Sequence, residues 1–476
     1  MNSATVWEVW PVTGSDTNGG GFVAGASGTD YSQSATPHAS GTAGTAVGTA
    51  AFSDVGYTFL STHVGNLIQI ASGSGFTAGF YYIVSVATGI ATLNTSPGTG
   101  TAAVWSLGGA LATITKCFTG FVTSNTCWVK ATGTLIVTAS QTSAASANGP
   151  GASIPYNKIL GYGTTRGDGG QVTIHCTTNA NINCFNFNIG TYVDQGWIVS
   201  NFIIDFVSGG GTTYGIICVY YLVVTNCKII GASNAISLGG LYGIIQDCEI
   251  TGTLGICILM SSGVVVRNYI HDNTCTGVHS GSPGALTVAW NIIANNSGGG
   301  SFGIQLQSEP LFVFNNIIYN SGSDGVNIQT ADRIRSLSFR NNICVLNGGY
   351  GINGNSSAGM CALPQYDGNA YYGNTSGTRF GMDDTGSVNP VNGSSPYANP
   401  LDVILSADPF VNGVGGDFTL TTAGKLALQG LGSPGTIPGA TPSGFLDIGA
   451  LQTASGGGGG STGILVNPGM TGGING

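Results

Sequence analysis

Charged side chains are scarce in this chain. Its 476 residues include 11 lysines and arginines and 20 aspartates and glutamates, so only 7% of the residues are charged, against about a quarter in an ordinary globular domain. The positive residues form no cluster, which argues against a nucleic-acid partner. A polar surface with so little charge suits a durable extracellular particle or a carbohydrate partner.

Long hydrophobic runs are missing as well. The longest apolar run, residues 214–224, is too short to span a membrane, so no membrane insertion is expected. The first ten residues lack the basic start and apolar core of a signal peptide. Extracellular chemistry without an export signal fits a virion protein that leaves the cell at lysis. A leaderless export route and a removed leader are the alternatives.

Against these absences stands a short repeated unit. Its first residues are spaced 25, 21, 20, 23, 25 and 26 apart and are Phe202, Cys227, Cys248, Asn268, Asn291, Asn316 and Asn342. Each unit adds short apolar runs bounded by Gly, Asn and Ser, such as Val264–Val266 and Leu311–Phe314. These runs are too short for helices, and a fixed period of this length is typical of a solenoid in which each repeat forms one coil of a parallel β-helix.

The repeated asparagines have a physical reason to recur. An asparagine tolerates left-handed backbone geometry at a bend, and its amide can bond the next amide in a stack. We therefore predict a structural ladder formed by Cys227, Cys248, Asn268, Asn291, Asn316 and Asn342. A second polar column, at Asp272, Asn295 and Asn320, follows four residues later.

The eleven cysteines form no C-x-x-C pair and no grouping with zinc spacing. Several lie in strand-like runs, which predicts buried thiols that act as small hydrophobic side chains. Cys227 and Cys248 would lie one coil apart, so a disulfide between them is the alternative.

The repeats resemble the right-handed parallel β-helices of the pectin-lyase-like superfamily, as found on phage virions and bacterial surfaces. The segments Cys127–Thr134 and Ile159–Asp168 resemble the first coil and the following turn of such proteins. The resemblance covers roughly residues 120 to 452 and implies an all-β fold: a right-handed parallel β-helix solenoid with a small N-terminal β module and an irregular, capped C-terminal end. It does not specify an activity.

Composition divides the chain into five predicted parts. These are an N-terminal arm or anchor (1–49), a small β module (50–110), the β-helix (111–360), closing coils with a cap (361–452), and a glycine linker with a C-terminal peptide (453–476). The peptide carries Ile464, Leu465, Val466 and Met470 behind five consecutive glycines. A short apolar segment on a flexible tether suits docking onto a partner's sheet edge. A disordered tail is the alternative.

Catalytic residues are hard to find in this sequence. Glycoside hydrolysis needs two carboxylates about 5 to 9.5 Å apart, and the chain has only three glutamates. Glu309, Asp324 and Asp332 are the catalytic candidates, while Asp383 and Asp384 are the candidates for a metal site. Lys228 and Glu249 should stack as an ion pair between coils. We expect no cofactor.

The leading functional hypothesis is a non-enzymatic surface or structural protein of a bacteriophage virion: a tail fibre, a tailspike-like protein or a head decoration. Its expected partners are other virion proteins or further copies of itself, with a trimer as the usual assembly of such spikes, and glycans of the host surface. The alternatives are a polysaccharide lyase or glycoside hydrolase on the same fold and a bacterial adhesin. The expected location is the virion surface or the extracellular space.

Overall fold

The computed structural model describes residues 5–122, 124–143, 156–177, 181–187, 196–207, 211–240, 242–281, 284–307, 311–329, 337–354, 364–380, 402–432 and 448–450. Regular structure in these ranges is almost entirely β, as predicted. The exceptions are helices α1 (Ile114–Thr119) and α2 (Thr422–Leu428) and two short 3-10 turns (Ser61–His63 and Gly413–Gly415). No helix in the described ranges has the length and apolar character needed to cross a membrane.

The chain divides into two compact units, residues 1–177 with 183–204 and residues 178–182 with 205–476. The strands up to the end of the first unit are β1 (Thr5–Val9), β2 (Gly21–Val23), β3 (Ala39–Val47), β4 (Ala51–Asp54), β5 (Leu67–Ser72), β6 (Gly79–Ala87), β7 (Ile90–Leu93), β8 (Thr99–Leu107), β9 (Thr126–Lys130), β10 (Leu135–Val137), β11 (Gln141–Thr142), β12 (Asn157–Tyr162), β13 (Val172–Cys176), β14 (Asn183–Phe187), β15 (Gly196–Ser200) and β16 (Phe202–Phe206).

Six of these strands close an antiparallel barrel in the order β3-β4-β7-β6-β5-β8. Its interior is filled by buried aromatic and branched side chains, among them Phe52, Phe59, Ile68, Ile83 and Trp105. The sequence placed the start of this module at residue 50. The barrel takes in β3 as well, a glycine- and alanine-rich strand whose apolar pattern is weak.

The first parallel coil starts before the barrel. Strand β1 pairs in parallel with β9, with Trp7 beside Cys127 and Val9 beside Val129. Strand β9 then pairs with β12, and β12 with β15. The barrel is therefore an insertion between two neighbouring strands of one parallel sheet, and the pairing across it joins residues about 120 positions apart in sequence.

The second unit is the regular part of the solenoid. Its strands are β17 (Tyr214–Cys218), β18 (Tyr221–Thr225), β19 (Lys228–Ile230), β20 (Asn234–Leu238), β21 (Gly243–Gln246), β22 (Glu249–Thr251), β23 (Ile256–Met260), β24 (Gly263–Val266), β25 (Tyr269–His271), β26 (Thr276–Ser280), β27 (Leu286–Ala289), β28 (Ile292–Ala294), β29 (Ile304–Leu306), β30 (Leu311–Phe314), β31 (Ile317–Tyr319), β32 (Val326–Ile328), β33 (Leu337–Arg340), β34 (Ile343–Val345), β35 (Tyr350–Gly354), β36 (Pro364–Asp367), β37 (Ala370–Tyr372), β38 (Gly377–Phe380), β39 (Val403–Ile404), β40 (Phe410–Asn412) and β41 (Asp417–Leu420).

From β17 to β38, every third strand joins the same parallel sheet, and β39 extends the sheet that contains β37. Strands β40 and β41 form a separate antiparallel pair. The three sheets run β18-β21-β24-β27-β30-β33-β36, β19-β22-β25-β28-β31-β34-β37-β39 and β17-β20-β23-β26-β29-β32-β35-β38. In the second of these sheets, Ile250, Ile270, Ile293 and Ile318 stack in register, and all four are fully buried. Strand alternation then turns their neighbours outward. This stack of three-strand coils confirms the predicted parallel β-helix.

Five of the six predicted ladder residues, Cys248, Asn268, Asn291, Asn316 and Asn342, are joined by a column of hydrogen bonds. The backbone N–H and the side-chain amide of Asn268 both donate to Oδ1 of Asn291, each at 3.0 Å. Asn291 donates in the same way to Asn316, and Asn316 to Asn342. Cys248 joins through its backbone N–H, which donates to Oδ1 of Asn268.

The left-handed bend lies one residue earlier than expected. Positive φ angles of 52° to 67° belong to the residues that precede the column: Asn201, Asn226, Asp247, Arg267, Trp290, Asn315 and Asn341. The column asparagines are therefore selected for hydrogen bonding. The bend accepts Arg267 and Trp290 because hydrogen bonds to the next coil hold it. Their backbone N–H groups donate to the carbonyls of Ala289 and Phe314. Asp272, Asn295 and Asn320 are themselves left-handed, with φ of 53°, 55° and 52°.

A segment after the coils covers part of the sheet that contains β31 and β34. Residues 402–432 and 448–450, which we name the C-terminal cover, supply Leu405, Phe410, Phe418, Leu428 and Ile448 to a buried cluster. These side chains pack on the outward residues Ile317, Tyr319, Ile343 and Val345. The Tyr319 hydroxyl donates to the Asp408 carboxylate at 2.7 Å. This face of the later coils is therefore interior rather than surface.

Candidate functional site

Polar and aromatic side chains gather where the C-terminal cover ends. The flank cluster, as we name it, consists of Lys228 on β19, Glu249 on β22, Tyr269 and His271 on β25, and Asp272 directly after β25. The register of these strands places Lys228 beside Glu249 and Glu249 beside Tyr269. Because Ile229, Ile250 and Ile270 point inward, their neighbours project from the outer face of the sheet.

Hydrogen bonds connect the cluster into one network. Lys228 Nζ lies 2.8 Å from Glu249 Oε1, so the ion pair expected between coils is present. His271 Nε2 lies 3.3 Å from the same oxygen, and His271 Nδ1 lies 2.8 Å from Asp272 Oδ2. Both ring nitrogens of His271 therefore lie within hydrogen-bonding distance of carboxylate oxygens.

The aromatic part of the cluster is a ring stack. The rings of Tyr269 and His271 lie 3.8 Å apart at an interplanar angle of 17°. Phe418 of the cover meets Tyr269 edge-on, with ring centroids 6.5 Å apart. Gly416 has a left-handed backbone at φ +83°, and a Cβ there would lie 2.9 Å from the Tyr269 hydroxyl. This glycine therefore allows the cover to approach the ring.

Neighbouring groups shift the pKa values of Glu249 and Tyr269 in the cluster. The hydrogen bond from His271, together with Lys228, lowers the pKa of Glu249 below its usual value despite partial burial. Burial, with the nearby Asp272 and Glu249, raises the pKa of Tyr269 to about 12. Glu249 is thus a carboxylate and Tyr269 a neutral phenol at neutral pH. The side chain of Asp272 is 60% exposed and that of Lys228 is 34% exposed, so both can meet a ligand.

A second ion pair lies at the neighbouring bend. Arg267 donates from Nε and Nη2 to the two oxygens of Asp247, both at 2.7 Å. This two-pronged contact joins the left-handed residues of successive coils, and it raises the pKa of Arg267. It stiffens the edge of the sheet on which the flank cluster lies.

The catalytic candidate Asp324 proves to be buried. Its carboxylate accepts hydrogen bonds from the Tyr350 backbone N–H at 2.7 Å and from the amides of Asn327 and Asn353, both at 2.8 Å. Only 5% of Asp324 is exposed. These donors occupy the carboxylate, which gives Asp324 a structural role in joining two coils.

Several other candidates lie outside the described residues. They are Glu309 and Asp332, the metal candidates Asp383 and Asp384, and the docking residues Ile464, Leu465, Val466 and Met470. Among the described residues, no group of three or more His, Cys, Asp or Glu side chains is arranged to hold a metal ion.

Sequence reasoning missed a second ladder. It lies five residues after the first and contains Asn273, Asn296, Asn347 and Asn374. The amide of Asn273 donates to Asn296 at 2.9 Å, and that of Asn347 to Asn374 at 2.8 Å. The constant offset of five residues was a usable signal. The flank cluster gave a weaker signal, because Tyr269 and His271 are recognisable only once the inward position of Ile270 fixes the face.

The first unit holds a different polar network around Glu8. The fully buried Glu8 carboxylate accepts from Trp10 Nε1 and from Arg166 Nε, both at 2.7 Å, and from the Tyr162 hydroxyl. Burial raises the pKa of Glu8, and Arg166 opposes that shift. Arg166 also contacts Asp30 at 3.1 Å. With no exposed surface, Glu8 fastens the N-terminal segment to the coils and is not available to a ligand.

Comparison with known proteins agrees with this architecture. Residues 206–385 match the family model described as a right-handed beta helix region. None of the curated proteins compared with the chain matches it.

Similar solved structures include an epimerase, a glucanase and a phage tailspike protein. The mannuronan C-5 epimerase AlgE4 A-module of Azotobacter vinelandii has 12% identity and a TM-score of 0.30, covering 53% of this chain and 69% of that one. The catalytic unit of a GH87 alpha-1,3-glucanase from Streptomyces thermodiastaticus has 11% identity and a TM-score of 0.36, covering 77% and 86%. The tailspike protein gp49 of Pseudomonas phage LKA1 has 10% identity and a TM-score of 0.15, covering 71% and 66%. Family model and strand topology together identify the chain as a right-handed parallel β-helix protein.

Proposed function

We propose that this protein is a non-enzymatic surface component of a bacteriophage virion that binds host-surface glycans through the flank cluster. The observation that carries the glycan part is the Tyr269–His271 ring stack surrounded by Lys228, Glu249 and Asp272 on a rigid sheet. Sugars present C–H patches and hydroxyl groups, which match aromatic rings and charged hydrogen-bonding groups.

The state of the carboxylates favours binding over hydrolysis. A glycosidase needs one carboxyl group that stays protonated, and therefore has a raised pKa, beside the sugar. In the flank cluster the pKa of Glu249 is lowered by its hydrogen bonds. Glu8, whose pKa is raised, is completely buried. The acids of the cluster are engaged in ion pairs that preorganise it for recognition.

Substitution of the ring stack tests the glycan site. Tyr269→Ala should weaken binding to a glycan array or to whole host cells by about fivefold, because one aromatic contact contributes about 1 kcal/mol. The control is Tyr242→Ala, since Tyr242 is 57% exposed and directly precedes β21, a strand of another sheet in the same solenoid. If both variants bind as the wild type does, the glycan site lies elsewhere.

The same glycans decide between binding and cleavage. Incubation of the wild-type chain with a bound polysaccharide should leave its length distribution unchanged. New reducing or unsaturated ends, abolished by Glu249→Gln, would show that the protein is a depolymerase and would overturn the non-enzymatic proposal.

The virion part of the proposal rests on composition and on the predicted docking peptide. A surface with 7% charged residues and coils held by neighbour-to-neighbour hydrogen bonds suits a particle that must persist outside a cell. We propose that Ile464, Leu465, Val466 and Met470 attach the chain to another virion protein or to further copies of itself, as in a trimer.

Particle analysis tests the virion assignment. Mass spectrometry and cryo-electron microscopy of particles from the source culture should find the chain at a fixed copy number on a capsid or tail. Removal of residues 453–476 should abolish that incorporation and leave the thermal unfolding temperature of the isolated chain unchanged. A chain that is absent from particles and is found on cells instead would support the adhesin alternative.

A further inference from the structure

Two buried cysteines in the second unit lie in contact. The Sγ atoms of Cys257 and Cys275 are 3.5 Å apart, and the two residues are 18 positions apart in sequence. Cys257 lies in β23, and Cys275 directly precedes β26. These strands are neighbours in one sheet, with Ile256 beside Thr276 and Ile258 beside Val278. The contact therefore links two successive coils of the solenoid.

We propose that Cys257 and Cys275 are a disulfide-forming site that locks these two coils together once the protein meets a thiol oxidant of the oxidised-glutathione class. A disulfide has an S–S length of about 2.05 Å, so the sulfur atoms must approach by about 1.5 Å. Rotation about the Cα–Cβ bonds of the two side chains, which lie in neighbouring coils, supplies a movement of that size.

The reaction proceeds by two thiol exchanges. The Cys275 thiolate attacks one sulfur of oxidised glutathione, forms a mixed disulfide and releases one reduced glutathione. The Cys257 thiolate then attacks the Cys275 sulfur, which forms the intramolecular bond and releases the second glutathione. The two protein thiols lose two protons and two electrons, and the oxidant takes up both. Cys275 is 5% exposed and Cys257 is fully buried, which assigns the first step to Cys275.

Burial makes the pair slow to react in the folded chain and stable afterwards. It raises the pKa of the Cys257 thiol well above its usual value, so little thiolate is present at neutral pH. The bond should form most readily while the coils are closing. A protein that folds in a reducing cytosol would acquire it only after release.

The column neighbours Cys227 and Cys248 are a matched comparison. The Cys227 thiol donates to the Thr225 carbonyl at 3.4 Å, and the Cys248 thiol donates to the Gln246 carbonyl at 3.1 Å. Each thiol is thus directed at a carbonyl two residues earlier in its own coil. This pair also occupies successive coils and should resist oxidation under conditions that close the Cys257–Cys275 bond.

The test uses the full chain in two preparations: native protein held in oxidised glutathione, and protein refolded from denaturant in a glutathione redox buffer. Each is alkylated, digested and examined by mass spectrometry. We expect a cross-linked peptide pair containing Cys257 and Cys275, lighter by two hydrogen atoms, in the refolded sample and more slowly in the native one. Cys257→Ser and Cys275→Ser should each remove it.

A rise in unfolding temperature on oxidation should accompany the bond, be reversed by a reductant and be absent from Cys257→Ser. The proposal is overturned if Cys257 and Cys275 are both found alkylated, and therefore unbridged, in both preparations. It is equally overturned if Cys227 and Cys248 form a bridge while Cys257 and Cys275 do not.

Discussion

At the scale of single residues, buried amides do the work that charge does in other proteins. Asn291, Asn316 and Asn342 each accept two hydrogen bonds through one oxygen. Each also donates to the backbone of the preceding coil, as Asn316 does to Val288 O at 2.8 Å. An unsatisfied buried polar group costs about 1–3 kcal/mol. The ladder therefore stabilises the stack of coils, because each buried amide obtains its hydrogen-bond partners from the neighbouring coils.

Removal of one rung measures this dependence. Asn316→Ala should lower the free energy of unfolding by about 3 kcal/mol or more, because the buried Asn291 N–H loses its acceptor. Gln305→Ala is the control, since its amide bonds Gln329 on the exposed surface, and it should change stability by about 0.5 kcal/mol or less. Urea unfolding of both variants checks the difference, and equal effects would contradict the ladder argument.

The flank cluster predicts a pH dependence. The pKa of Glu249 is lower in the folded chain than its ordinary 4.5, so its carboxylate stabilises the fold at pH values above about 4.5. This stabilisation decreases as the pH falls through the lowered folded-state value. Glu249→Gln should therefore be less stable than wild type by about 1 kcal/mol near pH 7, and this difference should shrink as the pH is lowered below 4.5. A constant difference from pH 7 to pH 3 would show that the charge of Glu249 contributes nothing.

At the scale of the coil, close backbone contact between neighbours requires glycine at particular points. Gly263 has φ +125°, and a Cβ there would lie 2.0 Å from the Gly243 carbonyl oxygen of the adjacent coil. A Cβ added at Gly239 would meet no heavy atom within 4 Å. The two glycines look equivalent in the sequence, and only the stacking of coils separates them.

Paired alanine substitutions test this difference. Gly263→Ala should destabilise the chain by about 3 kcal/mol, because both its backbone conformation and its contact with Gly243 are lost. Gly239→Ala should be neutral or slightly stabilising, because alanine restricts only the unfolded chain there. Thermal unfolding of both proteins is the measurement. A Gly263→Ala variant as stable as Gly239→Ala would show that β21 and β24 are not paired as described.

The repeat made the solenoid predictable because strand, bend and ladder recur at one spacing, as at Asn268, Asn291 and Asn316. What it could not show is contact between distant segments. The pairing of β1 with β9 crosses an inserted barrel, and the packing of Phe418 on Tyr319 crosses about a hundred residues. The flank cluster depends on both strand register and the edge of the cover, so its residue types alone did not identify it.

At the scale of the second unit, the C-terminal cover explains why the outward face of the later coils is apolar. Ile317, Tyr319 and Ile343 are each no more than 1% exposed although they project from the outer side of the sheet. Their burial comes from side chains more than sixty residues later. The solenoid is therefore complete only with this segment in place, and the flank cluster occurs where the cover ends and polar residues take over.

Two shortened chains separate the cover from the C-terminal peptide. A chain ending at residue 401 should bind a hydrophobic dye and self-associate, because loss of Phe410, Phe418 and Leu428 exposes the apolar face that they bury. A chain ending at residue 452 keeps those side chains and should unfold at the wild-type temperature without binding dye. Dye fluorescence and light scattering distinguish the two. If the shorter chain stays monomeric and dye-free, the outward isoleucines do not depend on the cover, and the flank cluster would lie on an open sheet rather than at the edge of a covered one.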